Sequence, residues 1–501
     1  MKRTIVLVLV FVVALGSIFA NGSEEQLLFE KLLRNQQTQT TTTTTTNTTS
    51  TSNSSKVTKQ YTNTSSAMSS QIISRDMESL ERLYQYVNKY YLYDIDYDAV
   101  YDAMATALFD ALEDKYTYYI TAEESEEYSQ EISGEYGGLG IYFSKTYTEY
   151  QDADDESTLY CNITQVFSNT PSSKAGLKAG DMITHIDGES VVELSANECA
   201  AKMKGEVGTT VDITIKRGDS SFTLTMTRAK VTVPTVEYGM LDSGVAYLKI
   251  TEFSQSTLEA VEEALDSLEE DGMTSLIIDL RDNPGGDVDV TLSIADLFID
   301  GGELLSVSYK DSTQNVTYKA SEGTEVDEDV KIAILINEGT ASSAEILSST
   351  MRDNGRAKLF GTTSYGKGIM QQISSFGDGY TSVTIASFVP PSGKTIHGVG
   401  VEPDVEVEAI TVQDDELEAY TTLVNGTEIE DFVKANPDFT DENVAKFVKQ
   451  YKDTGLREEV LQILVRNEYY SQMDAEDRPI ADVKYDNVCK AAYEYLTGTT
   501  K

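Results

Sequence analysis

The chain has 501 residues, of which 40% are hydrophobic and 24% charged, so it can hold roughly two or three domains with substantial cores. Its 83 acidic residues outnumber its 39 basic residues, and the formal net charge is −44. This balance argues against nucleic acid or an anionic membrane surface as a partner, because like charges repel. Three cysteines are too few for a disulfide framework, although a single Cys161–Cys199 bridge remains an alternative.

The N-terminal segment has the pattern of an export signal. Lys2 and Arg3 precede an apolar run over residues 5–19, as the basic and apolar regions of a signal peptide do. Residues 1–20 are therefore predicted to be a signal peptide or a retained membrane anchor, with the cleaved signal favoured. In either case the rest of the chain is predicted to work outside the cytoplasm. Residues 21–70, rich in threonine and serine, are predicted to be a disordered linker.

Two regions have helical periodicity and no recognisable chemistry. Residues 71–133 are predicted to form N-terminal helices, because apolar side chains such as Leu80, Leu83 and Val87 recur on one helical face. Residues 411–501 repeat this kind of pattern in several separate stretches. They are predicted to be a helical C-terminal appendage.

Residues 134–229 contain a glycine-rich loop, formed by Gly137, Gly138, Leu139 and Gly140, and further on the stretch TPSSKAGLKAGDMITHIDG. Together they resemble the signature of a PDZ domain. In PDZ domains the backbone N–H groups of such a loop bind a C-terminal carboxylate, and the peptide adds to the sheet as a strand. The resemblance implies that this segment is a PDZ domain whose glycine loop binds substrate C-termini.

Residues 230–410 alternate between strand and helix patterns. VAYLKITEF, an amphipathic helix and SLIIDLRDNPGG make a strand–helix–strand unit. SLIIDL is apolar on both faces, as expected for a strand in a sheet that is covered by helices. This region is predicted to be an α/β core.

The stretch from residue 331 to residue 372 presents a hydroxyl at the head of a helix. An apolar strand leads through a turn of small residues, including Ser342, into an amphipathic helix, whose free N–H groups favour a developing oxyanion. The only histidines are His185 and His397, so only these two residues could supply the histidine of a Ser/His/Asp triad. Lys367 can act as the base if burial lowers its pKa by about three units from ~10.4. The residues alone make this Ser/Lys pair possible without proving it.

Three motifs, NEGTASSAEIL, SYGKGIMQQ and RDNPGG, resemble the active-site segments of the C-terminal processing (tail-specific) serine peptidases. The family patterns are G-S/T-A-S-x-x-E, F/Y-G-K-G-x-x-Q and D-L-R-x-N-P-G-G, and the resemblance extends over most of residues 72–410. It implies a crotonase/ClpP-like peptidase core with an inserted PDZ domain. The end of the family's N-terminal helical segment, L-D-P-H-S-x-Y, appears here as LEDKYTYYI, residues 112–120.

The resemblance also implies roles for individual residues. Ser342, rather than Ser343, would be the nucleophile. Lys367 would be the general base, activated as a neutral amine. Gln371, four residues further on, would orient the lysine amine.

The resemblance places an oxyanion hole beside the nucleophile. Its donors would be the backbone N–H of Gly285 or Gly286 together with that of Ser343, and each such donor typically contributes about 3–4 kcal/mol to the transition state. Asp353 matches an acidic position that the family keeps nearby, and a structural role at the helix end is expected for it.

The sequence therefore predicts an exported serine endopeptidase of a bacterial cell envelope, periplasmic or secreted, that cleaves proteins or peptides with free C-termini. No cofactor is predicted, and no metal, because the two histidines are far apart and lack clustered carboxylate or cysteine ligands. A homo-oligomer is left open.

Two rival hypotheses remain. A PDZ-bearing scaffold with an inert peptidase domain is disfavoured because Ser342, Lys367 and Gln371 are all present in register. An acyl-CoA enzyme rests only on the likeness of the core to crotonase-type folds, and it leaves the PDZ segment unexplained.

Overall fold

The computed structural model describes residues 9–12, 66–146, 156–218, 220–424, 426–473 and 478–499. Apart from residues 9–12, the predicted signal segment lies outside the described residues, and so does the predicted linker up to residue 65. Within the described ranges, the structure has no helix with the length and apolar character needed to cross a membrane.

The N-terminal region consists of helices with one short strand. Its elements, with the strand that precedes them, are β1 (Leu9–Val12), α1 (Ser66–Tyr90), α2 (Tyr97–Asp110), β2 (Tyr118–Ile120) and α3 (Ser125–Ser133). The predicted helix is present. The described residues leave its apolar face largely uncovered: Leu83 is 58% exposed and Val87 42% exposed.

The segment predicted to be a PDZ domain consists of antiparallel strands with short helices. Its elements are β3 (Glu135–Gly138), β4 (Ile141–Thr146), α4 (Glu156–Leu159), β5 (Cys161–Val166), α5 (Pro171–Lys174), β6 (Met182–Ile186), β7 (Glu189–Ser190), α6 (Ala196–Met203), β8 (Thr210–Arg217), β9 (Ser220–Thr227) and β10 (Ala229–Thr232). The larger sheet has the strand order β1-β4-β5-β6-β8-β9, with β7 paired to β6, and β3 and β10 form a separate two-stranded sheet. Cys161 and Cys199 are free thiols in the core of the larger sheet.

The central region is built from two sheets. Its elements are β11 (Val236–Met240), β12 (Val245–Ile250), α7 (Thr257–Glu270), β13 (Ser275–Asp279), α8 (Val288–Asp296), β14 (Glu303–Tyr309), β15 (Val316–Lys319), β16 (Lys331–Ile336), α9 (Ser343–Asp353), β17 (Ala357–Gly361), β18 (Ile369–Phe376), β19 (Gly379–Val389) and β20 (Val405–Glu406).

The first sheet has the order β11-β12-β13-β16-β17-β20 and is parallel except for the β11–β12 pair. All five residues of β13 are buried, as the apolar run SLIIDL predicted. The second sheet is antiparallel, in the order β15-β14-β19-β18, and β2 of the N-terminal region pairs with β19. The N-terminal segment thus becomes part of the central region.

The described residues of the C-terminal region form five helices, α10 (Leu417–Val424), α11 (Glu428–Ala435), α12 (Asp441–Tyr451), α13 (Glu458–Gln472) and α14 (Asn487–Thr497). The first four share a hydrophobic core of their own. By contrast, α14 packs Val488, Cys489 and Leu496 against the parallel sheet. The last helix of the predicted appendage therefore covers one face of the central sheet.

Glu416 connects the start of the C-terminal helices to Arg457. Its carboxylate accepts hydrogen bonds from the backbone N–H groups of Gln413 (2.9 Å) and Arg457 (2.8 Å), and from the Arg457 guanidinium at 3.0 Å. Burial alone would raise the pKa of this carboxyl, but the donors of Arg457 and Gln413 outweigh it and lower the pKa to about 2. The ionised form therefore stabilises the fold above the unfolded-state pKa near ~4.3, and this stability is lost as the pH falls towards about 2.

We expect Glu416→Gln to lower the free energy of unfolding of the C-terminal helices at pH 7 by about 1–3 kcal/mol. The loss of stability between about pH 5 and pH 2 should be smaller in this variant than in the wild type. Hydrogen exchange of α10–α13 measures both effects. Glu418→Gln, an exposed change on α10, is the matched control, and an equal effect of the two variants would contradict the role given to Glu416.

Candidate active site

Three segments predicted to carry the chemistry meet at one edge of the parallel sheet. Gly285 and Gly286 follow β13, Ser342 follows β16, and Lys367 follows β17. These strands are adjacent and parallel, and the carboxyl ends of parallel strands lie at the same edge of a sheet, where α/β proteins commonly form their sites. Topology therefore brings together residues that are up to 82 positions apart in sequence.

Ser342 lies in a strained turn between strand and helix. Its backbone angles are φ 53° and ψ −116°, and α9 begins at the next residue. A side chain at this positive φ is uncommon and costs of order 1–3 kcal/mol. The side chain is half-buried and lies at the positive end of the α9 dipole. Such a turn exposes a hydroxyl at the head of a helix, as the nucleophile turns of α/β-hydrolases do.

Gly285 brings the turn after β13 against the Ser342 turn. A Cβ atom on Gly285 would lie 2.8 Å from the Cβ of Ser342 and 2.8 Å from the backbone nitrogen of Ser343, so only glycine fits here. The Ser343 hydroxyl donates a hydrogen bond to the carbonyl of Gly286 (2.8 Å). The close approach implied by the RDNPGG motif is present.

The backbone N–H groups of Gly285 and Gly286, the two predicted oxyanion donors, differ in their hydrogen bonds. The N–H of Gly285 already donates to Oδ1 of Asn283 at 2.8 Å. Among the described residues, the N–H groups of Gly286 and Ser343 have no acceptor. Asn283 also accepts a hydrogen bond from Ala341 N–H through its carbonyl (2.9 Å), which fixes the two turns relative to each other.

Glu345 connects the turn at Ser342 to the segment that contains Lys367. This residue is fully buried. Its Oε2 accepts from the backbone N–H groups of Ser342 (2.9 Å) and Lys367 (2.7 Å). Its Oε1 accepts from Gly366 N–H (2.7 Å) and from the Ser364 hydroxyl (2.5 Å). One carboxylate thus holds both segments through four charge-assisted hydrogen bonds.

The Lys367 side chain is half-buried under Tyr116. Its Nζ lies 4.9 Å from the centroid of the Tyr116 ring. Burial lowers the pKa of the Lys367 amine; Tyr365 acts in the opposite direction, and the charge of Lys115 lowers the pKa further. Gly368 packs against the backbone of His397. The burial of the amine is therefore supplied partly by a tyrosine.

Among the described residues, the Lys367 amine makes no ion pair, and no hydrogen bond joins it to the hydroxyl of Ser342 or to Gln371. The Gln371 amide instead donates to Thr384 Oγ1 at 3.2 Å. In this conformation, no hydrogen-bonded proton path joins the serine, the lysine and the glutamine among the described residues.

The remaining candidate residues have structural positions. Asp353 is the last residue of α9 and accepts a hydrogen bond from Ser392 N–H at 3.1 Å. His185 lies on β6, where Nδ1 is 3.0 Å from Thr184 Oγ1. In the described part of the chain, no group of three or more His, Cys, Asp or Glu side chains is arranged to hold a metal ion.

The predicted carboxylate-binding loop joins β3 to β4. Gly137 and Gly138 belong to β3, and the carbonyls of Leu139 and Gly140 accept hydrogen bonds from Ser172 and Phe167 at 3.0 Å each. Residues 9–12 pair with β4 in antiparallel register and also contact α6. The edge of β4 can therefore take an added strand.

Sequence reasoning gave no role to Glu345, Lys115, Tyr116 or Tyr365. For Glu345 a signal exists, because Ser342 and Glu345 have the S-x-x-E spacing of a capping box, and a carboxylate on the apolar face of a helix must be paired. Lys115 and Tyr116 come from the N-terminal segment, and only the pairing of β2 with β19 brings them to the site.

We expect Ser342→Gly to raise the free energy of unfolding by about 1 kcal/mol, because glycine adopts a positive φ without strain; the gain is partly offset by its greater unfolded-state entropy. Ser342→Ala retains the strain and should remain near the wild type. Thermal or denaturant unfolding of both variants measures the difference. Equal stability of the glycine and alanine variants would show that the turn is not strained.

Comparison with known proteins agrees with these motifs. Residues 244–407 match the model of peptidase family S41, and residues 137–227 match the model of the PDZ domain. A protein of Staphylococcus haemolyticus named "Probable CtpA-like serine protease" is 34% identical over 247 residues, 49% of this chain and 49% of that protein. The carboxy-terminal-processing protease of Bartonella bacilliformis is 34% identical over 285 residues, 55% of this chain and 62% of that protein.

The carboxy-terminal processing protease CtpA of Bacillus subtilis is 34% identical over 249 residues, 49% of this chain and 53% of that protein. The matches thus span about half to three fifths of the length of these relatives. A solved structure, the photosystem II D1 C-terminal processing protease, is 25% identical, with coverage of 65% of this chain and 86% of that one and a TM-score of 0.39. The chain thus contains a segment, residues 244–407, that is similar to peptidase family S41 and a segment, residues 137–227, that is similar to the PDZ domain.

Proposed function

We propose that the chain is an exported serine endopeptidase of the C-terminal processing type, with Ser342 as nucleophile and Lys367 as general base. The observation that carries this proposal is the buried Glu345 carboxylate, which holds the backbone of both residues at one sheet edge. Structural serines and lysines have no need of such a shared anchor. The strained turn at Ser342 and the lowered pKa of the Lys367 amine support the same assignment.

In the proposed mechanism, the neutral Lys367 amine takes the Ser342 proton as the hydroxyl oxygen attacks the scissile carbonyl. The N–H groups of Gly286 and Ser343 receive the developing oxyanion, since neither has another acceptor among the described residues. The lysine returns the proton to the leaving amine, and water then hydrolyses the acyl-enzyme. Gln371 orients the amine once Lys367 has rotated towards Ser342.

The PDZ domain is proposed to bind substrate C-termini through Gly137–Gly140, with the peptide adding as a strand between β4 and α6. The pairing of residues 9–12 along β4 supports this mode, because it uses the same edge. The substrates are then proteins or peptides with free C-termini. Export is supported by the basic and apolar pattern of residues 1–20.

Two finer structural proposals accompany this function. We propose a crotonase/ClpP-like core, supported by strand–helix units that form one parallel and one antiparallel sheet.

We also propose that the exposed apolar face of α1 and α2 joins a second copy of the chain. Its large side chains include Leu83, Tyr86, Val87, Tyr101 and Leu108.

The inert-scaffold rival has less support, because a scaffold has no need for a strained serine or a lysine with a lowered pKa. The acyl-CoA rival remains without an observation of its own. A peptide-cleavage assay separates both rivals from the peptidase.

We expect Ser342→Ala and Lys367→Ala each to abolish cleavage of protein substrates while the fold survives, since either change removes the nucleophile or its base. Mass spectrometry of peptides released by the wild type and not by the variants measures this loss. Ser293→Ala and Lys449→Ala, at exposed helical positions, are matched controls that should cleave normally. Turnover retained by either site variant would disprove the proposed pair.

We expect Glu345→Gln to lower kcat/KM by about 100-fold or more, because an amide NH₂ cannot accept the two N–H donors that meet one carboxylate oxygen, and small misplacements of reacting groups are costly. The same variant should lose about 1–3 kcal/mol of stability. Steady-state kinetics and unfolding measure the two effects. Glu259→Gln, an exposed change on α7, serves as control; normal kinetics of Glu345→Gln would rule out the anchoring role.

A further inference from the structure

The segment before β2 is firmly attached beside the Ser342/Lys367 site. The Ser382 hydroxyl donates to the carbonyl of Tyr116 (3.1 Å), and the N–H of Thr384 donates to Thr117 Oγ1 (2.9 Å). Both partners belong to β19, the central strand of the antiparallel sheet. Lys115 and Tyr116 therefore occupy fixed positions, although their part of the chain, LEDKYTYYI, departs from the family pattern.

Lys115 and Lys367 lie around the same aromatic ring. The Nζ of Lys115 is 4.7 Å from the centroid of the Tyr116 ring, and the Nζ of Lys367 is 4.9 Å from it. The two nitrogens are therefore about 10 Å apart at most. Lys115 also donates a hydrogen bond of 2.6 Å to the hydroxyl of Tyr365, two residues before Lys367. Its position is thus held by the lysine loop itself.

Four charged or titratable groups act on the Lys367 amine from the elements around it. They are Tyr365, Lys115, Glu345 and Asp114. Asp114 accepts hydrogen bonds from Tyr116 N–H and the Thr117 hydroxyl. The two carboxylates favour the ammonium form of Lys367. Of the four groups, Lys115 is the only cation and thus the one whose charge favours the neutral form.

We propose that Lys115 is a positioning residue for the general base: hydrogen-bonded to Tyr365, it places a fixed positive charge beside Lys367 and so favours the uncharged amine that accepts the serine proton. This inference rests on the proposed function and deepens it. No residue of the three active-site motifs supplies this charge. It comes from the N-terminal segment instead.

The surroundings of Lys115 and Lys367 shift the pKa values of the two amines in opposite directions, as this role requires. The hydrogen bond to Tyr365 raises the pKa of Lys115. Burial and the nearby cation lower the pKa of Lys367. One lysine thus stays protonated at a pH where the other becomes neutral, which is how a site separates two titratable groups into different roles. A second cation activates catalytic lysines in other enzymes in the same way.

The test is the pH dependence of kcat/KM of the full-length enzyme, in which the acid limb reports the loss of the Lys367 proton. At a separation of about 10 Å or less, removal of one charge shifts the midpoint of that limb by about 0.3–1 pH unit. We expect Lys115→Met to move the midpoint upward by this amount and to lower kcat/KM about two- to tenfold below the midpoint. Lys115→Arg, which keeps the charge, and Lys449→Met, which removes an exposed charge from α12, should leave the midpoint in place.

A second readout is independent of turnover. In the Ser342→Ala background, NMR titration of ¹³Cε-labelled lysine, with the Lys367 signal assigned by its loss in Lys367→Ala, should show the same upward shift in Lys115→Met. An unchanged midpoint in both measurements would overturn the inference. A rise in KM with an unchanged midpoint would also overturn it and would make Lys115 a substrate contact. If the wild type cleaves no peptide, the proposed function fails, whereas an NMR shift would still support the electrostatic role of Lys115.

Discussion

The site depends on the hydrogen bonds that the buried carboxylate of Glu345 accepts. It lies in the first turn of α9 and is fully buried, so its charge must be compensated within the protein. The compensation comes from donors on both chemically important segments, at Ser342 on one side and at Ser364, Gly366 and Lys367 on the other. The requirement to pair one buried charge thus fixes the distance between two loops that follow different strands.

The turn after β13 is fixed by a separate set of contacts. Asp279 is buried and pairs with Arg281, and Arg281 also forms an ion pair with Asp486 next to α14. Oδ1 of Asn283 accepts a hydrogen bond from the N–H of Gly285 and none from the N–H of Gly286. The C-terminal helix therefore supports the glycine turn, although it contributes no group to the reaction. The same helix also covers one face of the parallel sheet, whose strands lead into these turns.

The net charge of the chain and the local environment of Lys367 act on the lysine amine in opposite directions. The chain has a large excess of acidic residues, and a long-range negative field favours protonated amines. A neutral lysine therefore requires a local cause. Burial under Tyr116 is the main one, and the cation of Lys115 acts in the same direction. Both residues belong to a segment that the antiparallel sheet brings to the site from the N-terminal region.

The sequence by itself determined much of the local structure. The apolar run SLIIDL predicted a buried strand, which is present, and the helical spacing of residues 71–133 predicted helices, which are present as α1, α2 and α3. These features depend on neighbouring residues, so periodicity and spacing suffice to find them. The motifs around Ser342, Lys367 and RDNPGG predicted a candidate site, and the structure brings their segments to one sheet edge, where glycines allow close approach of the backbone.

Only the tertiary structure decided which groups act on one another. The N–H of Gly285 donates to Asn283, whereas that of Gly286 has no acceptor among the described residues. The Gln371 amide donates to Thr384, and the ring over Lys367 belongs to a tyrosine about 250 positions away in the chain. On the apolar face of α1, Leu83 and Val87 are exposed. Periodicity shows that a helix has an apolar face but not what covers it. Contacts between distant segments depend on strand order and register, which local patterns do not encode.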